Sequence, residues 1–130
     1  MLKSVIVAAL VLACAVPSHA RHRHRHGITA SAEVIGGRPA GCPHAYCGCS
    51  ASLHLFGRII PALNRAANWF RFPRAMPAPR MAAVKPHHVM VLERQISGTV
   101  WLVHDGNSGG GLTRLHARSI AGYVIVDPHG

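Results

Sequence analysis

The chain has 130 residues, with 14 Lys and Arg against 4 Asp and Glu, a formal net charge of +10 at pH 7. That length bounds the molecule to one domain with a single modest core, and the absence of any internal repeat excludes a solenoid or array. The basic excess points to an anionic environment or partner: nucleic acid, anionic lipid, or the acidic polymers of a cell envelope.

In chain order, Lys3 precedes an apolar run from Val5 to Val16 that ends at Pro17, followed by Ser18-His19-Ala20. A short apolar run after a positive residue, with small residues ahead of a cut, is the pattern of a secretory signal peptide. The run is too brief to span a bilayer. We expect residues 1–20 to be this leader, with cleavage before Arg21. Val11-Leu12-Ala13-Cys14 loosely resembles a lipobox and marks a competing site, although Leu12 fits it poorly. Removing residues 1–20 takes away Lys3 and no acid, leaving thirteen basic residues against four acidic ones, a net charge of +9. For an exported chain, envelope polymers fit that charge better than nucleic acid, and no basic stretch carries the interleaved aromatics of a single-strand binder. No second run is long and apolar enough to cross a membrane.

Residues 21–40 lack apolar periodicity and contain Gly27, Gly36, Gly37 and Pro39, which reads as a basic His/Arg-rich linker. His22, His24 and His26 would line one side of an extended strand. They form no defined cage, so no metal or other cofactor is assigned. The domain is expected over residues 41–130. Once Cys14 leaves with the leader, Cys42, Cys47 and Cys49 remain, and three thiols cannot all pair within one chain. One arrangement joins Cys42 to Cys49 around a free Cys47; the spacing alone does not fix the connectivity.

After Cys47 the pattern turns helical, with Ala51, Leu53, Leu55 and Phe56 apolar and Gly57 a stop. A second helix is predicted from about Ile60 to Phe70, with Pro61 in its first turn and Leu63, Ala66, Ala67 and Phe70 on one face. Pro73, Pro77 and Pro79 mark an irregular connection. Five strands are then predicted: Ala82–Val84, His88–Glu93, Thr99–His104, Leu112–Leu115 and Gly122–Val126. Ser97-Gly98 is a hairpin signal. The expected fold class is therefore α+β, with two N-terminal helices packed on a small antiparallel sheet.

Thiol chemistry needs a thiolate, an imidazole that exchanges its proton, and a polar group that orients the imidazole. Cys47 stands at a helix start, where the macrodipole and free backbone N–H groups stabilise a thiolate and can hold an oxyanion. A two-residue turn at Ser97-Gly98 sets Ile96 opposite Thr99, Leu92 opposite Val103, Met90 opposite Asp105 and His88 opposite Asn107. That count makes Asn107 the orienting residue. A bulge in the hairpin would shift it and bring Asp105 into competition. Alternation expects His88 to face the helix and His87 and His104 to point elsewhere.

Tyr46-Cys47-Gly48, His87-His88-Val89-Met90-Val91-Leu92-Glu93 and Asp105-Gly106-Asn107-Ser108, in this order, resemble the CHAP-type and NlpC-type cysteine peptidases and amidases. Ser119-Ile120-Ala121-Gly122-Tyr123 is similar to the closing strand of small members. The resemblance covers residues 42–127. It implies a papain-like minimal core, with Cys47 as nucleophile, His88 as base and Asn107 as orienting residue, and hydrolysis of amide bonds in cell-wall peptides without a cofactor. The sequence departs from that pattern at His87, where Gly is usual, at Tyr46, where Trp is commoner, and in the additional Cys42 and Cys49. If a bridge captured Cys47, the chain would instead be a catalytically inactive, envelope-binding module of the same fold. Nucleic acid is the least fitting partner.

Overall fold

The computed structural model describes residues 32–130, so the expected leader, Cys14 and the His/Arg run lie outside the described residues. Six strands form one antiparallel sheet: β1 (Glu33–Gly36), β2 (Ala82–Lys85), β3 (His88–Ser97), β4 (Val100–Asp105), β5 (Thr113–Ser119) and β6 (Val124–Val126). Their spatial order is β1-β5-β4-β3-β2-β6. One helix, α1 (Cys47–Phe56), packs against them. No helix among the described residues is long and apolar enough to cross a membrane.

This corrects the expected fold class of two helices on a small sheet. The segment predicted as a second helix forms two short 3₁₀ turns, Pro61–Leu63 and Ala66–Arg71. Arg65 between them is extended, at φ −86° and ψ 124°, and so interrupts the helical ladder. The Leu63 carbonyl accepts the Trp69 indole N–H at 2.9 Å rather than continuing a backbone series. Phe72 is extended ahead of Pro73, as residues before proline are, and ends the second turn. With one helix of ten residues against six strands, the sheet dominates.

Helix α1 owes little to intrinsic preference, since Gly48, Ser50 and Ser52 are poor helix formers. Burial holds it: Ala51 and Leu55 pack with Leu63, Trp69, Ala82, Val84, Val89, Val91 and Val126. Gly57 terminates it in the left-handed region at φ 69°, its N–H bonding the Leu53 carbonyl at 2.8 Å. A disulfide between Cys42 and Cys49 ties the first turn to the preceding loop. Closing a loop that short stabilises by about 2–3 kcal/mol through the unfolded chain.

The opposite face of the sheet carries a second cluster of Ala83, Met90, Leu92, Trp101, Val103, Ile120 and Ile125. Both faces are thus apolar, with alternate residues of β2 and β3 going to different cores. Edge strand β1 pairs with β5 inside the stretch read as linker, and its four residues are all exposed, which leaves no periodic signal.

Candidate functional site

Three strand and helix ends meet at one place: the start of α1, the start of β3 and the end of β4. Cys47 is the first residue of α1 and only 6% exposed. It is the free cysteine among the described residues, because Cys42 and Cys49 are joined to each other. The first backbone bond of the helix runs from the Ser50 N–H to the Tyr46 carbonyl, so the N–H groups of Cys47, Gly48 and Cys49 lie ahead of the ladder. Tyr46, 1% exposed, anchors this start from the other side, its hydroxyl 3.4 Å from the Thr113 hydroxyl.

Gly48 is there because nothing larger fits. A β-carbon at this position would fall 2.1 Å from the Leu63 carbonyl oxygen and 2.7 Å from that of Asn64. The two carbonyls crowd the helix start. Beside it opens a cleft of about 670 Å³ that Cys47, Asn64, Arg65, Pro86 and His87 line.

His88 reaches the sulfur from β3. Burial pushes the Cys47 thiol up, but interaction with the His88 imidazole and with the backbone N–H groups of Val89 and Gly48 more than offsets it, so the thiol titrates below its ordinary 9.0. Burial alone would depress His88; hydrogen bonding to Asp105 and interaction with Cys47 reverse this and raise it to about 9. The two shifts have opposite signs and a shared cause, since each group favours the charged form of the other.

The group that orients the imidazole is Asp105, the last residue of β4. His88 Nε2 lies 2.5 Å from Asp105 Oδ1, which leaves Nδ1 as the ring nitrogen for Cys47. Asp105 is 0% exposed. Burial would push its carboxyl up, but hydrogen bonds from His88 and His116 and the charges of His88 and Arg118 hold it below its ordinary value. His116 Nε2 and Arg118 Nη1 approach Oδ2 at 2.8 and 3.0 Å.

Asn107, the orienting residue expected from the sequence, is not a partner of His88 in this structure. Strand β4 ends at Asp105, and Asn107 turns away at φ 56° in the connection to β5. The register count that selected it fails at the turn. The turn residues are Gly98 and Thr99, with Ser97 opposite Val100, not Ser97-Gly98 with Ile96 opposite Thr99. Irregularities between Leu92 and Arg94 and between Gln95 and Ser97 then bring Leu92 back opposite Val103.

The facing argument also needs correction. Val89 and Val91 pack with Cys47 and the helix, whereas Met90 and Leu92, which share the parity of His88, belong to the second cluster. His88 meets Cys47 because it is the terminal residue of β3, at the open end of the sheet. His87 is exposed and lines the cleft. His104 is elsewhere, stacked on His54 with ring centroids 4.0 Å apart, while His54 pairs with Glu93. Sequence reasoning missed His116 and Arg118; their alternation with Arg114 along β5 was the available signal.

No protein-family model, curated protein or solved structure matches the chain.

Proposed function

We propose that the protein is an exported thiol hydrolase that cleaves amide bonds, with cell-wall peptides as substrate. The observation that carries this reading is the line Cys47, His88, Asp105 at a helix start, opening on a cleft of about 670 Å³. A buried thiol in an ordinary core has no imidazole beside it and no carboxylate behind that imidazole. The disulfide between Cys42 and Cys49 fits an oxidising compartment. Peptide specificity comes from the resemblance of the Tyr46-Cys47-Gly48 and His87-His88 segments to CHAP-type and NlpC-type enzymes.

The chemistry follows from the positions. The Cys47 thiolate attacks the scissile carbonyl carbon, and the carbonyl π electrons move to oxygen. Backbone N–H groups around Gly48 hold that oxyanion. His88 gives its proton to the amine as the C–N bond breaks, leaving a thioester on Cys47. Water then attacks the thioester, His88 takes its proton, and the carboxylate product leaves with the thiolate restored. Asp105 keeps the ring turned so that Nδ1 faces sulfur throughout.

The test is incubation of the protein with purified peptidoglycan and mass analysis of the released fragments. New amine and carboxylate ends with the wild-type chain, absent with Cys47→Ala, are expected. Release that persists in Cys47→Ala, or none with the parent under reducing and non-reducing conditions, would reject the reading.

A further inference from the structure

Asp105 has more partners than the proposed reaction needs. Its Oδ1 serves His88, while Oδ2 takes both His116 and Arg118, at 2.5, 2.8 and 3.0 Å. All of this happens around a carboxylate with no exposed surface. The register explains how. Arg114 stands directly opposite Asp105, but its guanidinium turns to the Ser108 and Gly109 carbonyls at 2.7 and 2.8 Å. His116 and Arg118, two and four residues further along β5 on the same face, therefore reach back diagonally to the carboxylate. Arg118 is itself held, donating to the Tyr123 hydroxyl at 3.3 Å. The Tyr123 ring in turn lies 4.4 Å beneath Lys85 Nζ, and Lys85 is the strand partner of His88.

We propose that His116 and Arg118 are positioning residues that divide the charge of Asp105 and so keep His88 acidic enough to give up its proton. This rests on the reading of Cys47 and His88 as a hydrolytic pair. A half-buried imidazolium facing an undivided carboxylate is held tightly, and proton transfer to a leaving amine is slowed. Two donors on the far oxygen draw charge from the near one and lock the carboxylate rotamer. The charged groups packed near His88 come from several elements, with His87 beside it exposed and lining the cleft with Arg65. Cys47 comes from α1 and Asp105 from β4. His116 and Arg118 act from β5 through the carboxylate. Lys85 on β2 is engaged by Tyr123, and His104, which stacks on His54 beside Glu93, feels the charge of Asp105 without bonding to it.

Removal of either donor is predicted to tighten the His88–Asp105 pair. The measurement is the titration midpoint of the His88 ring by NMR in wild type, His116→Ala and Arg118→Gln. Upward displacement by roughly one pH unit is expected in both variants, the scale on which one neighbouring hydrogen-bond donor acts. Turnover should fall severalfold with KM unchanged, since substrate contacts are untouched. The Arg118 side chain is 38% exposed, so Arg118→Gln decides the matter if His116→Ala fails to fold. A midpoint that stays or moves down in the folded variants overturns the proposal. Failure of the parent to hydrolyse anything removes the proposed function alone, because the NMR midpoint does not depend on turnover.

Discussion

Gly106 lies so close to Ser50 that a β-carbon on it would sit 2.4 Å from the Ser50 Cβ and 2.5 Å from its hydroxyl oxygen. Ser50 is 3% exposed in the first turn of α1, and Gly106 follows the carboxylate that orients His88. This contact fixes the distance between the helix that carries Cys47 and the end of β4.

Gly106→Ala is accordingly expected to destabilise the fold by about 1–3 kcal/mol through overpacking and to slow alkylation of Cys47. Ser50→Gly in the same chain should recover much of that loss, because it removes the clashing atoms. Thermal unfolding of the three chains checks this. A double variant no more stable than Gly106→Ala would place the cost elsewhere.

Asp105→Asn and Asn107→Gly separate the two candidate orienting residues. The first removes the charge that holds His88 protonated, and hydrolysis should fall by roughly 10²–10⁴-fold, the usual worth of a positioned acid–base system. The second leaves the His88–Asp105 contact intact and suits the positive φ of 56° at that position. Its rate should stay close to that of the parent. The reverse ranking would restore Asn107 to the role the sequence first suggested.

Acid sensitivity should trace to His104. Burial, with the neighbouring His54 acting in the same direction, depresses it from 6.5 to about 4. A folded-state value below the unfolded one means the unfolded chain binds the proton first. The neutral ring therefore contributes stability in full above about 6.5, and this contribution is lost as pH falls toward about 4. Thermal midpoints of His104→Phe, which keeps a ring against His54 but cannot titrate, should decline less than the parent's across that window. Parallel declines would dismiss His104 as the cause.

The start and stop of α1 were legible, since the apolar pattern and Gly57 are local signals. The site's second half was legible only in part, and the reason lies in Glu93-Arg94-Gln95. These polar residues show no alternation that would reveal a bulge, and β3 hides two irregularities beside them. They offset the one-residue displacement of the turn, so the count placed Leu92 opposite Val103 although its premise was wrong. What no count conveys is where β4 stops. Gly106 and Asn107 leave the sheet, and Asp105 becomes the last side chain that His88 can reach. The β5 residues were obscured for the opposite reason: His116 and Arg118 are partly buried around a carboxylate, and a polar cluster inside a sheet looks from the sequence like a solvated face.

With Cys42 and Cys49 already joined, Cys47 has no resolving thiol among the described residues. The disulfide packs with Tyr46 in one cluster and Cys47 packs in another, so the nearest sulfurs are turned away from it. A thiolate oxidised by peroxide to the sulfenic acid, with water released, therefore lacks the usual internal route to a protected disulfide. Inactivation by peroxide should progress to the sulfinic acid and resist recovery after the oxidant is removed, unless a small thiol is added early. Peptide mapping should show oxygen added to Cys47; a bridge from Cys47 to Cys42 or Cys49 would contradict it. The disulfide that steadies the helix start thus leaves Cys47 dependent on an outside reductant for repair.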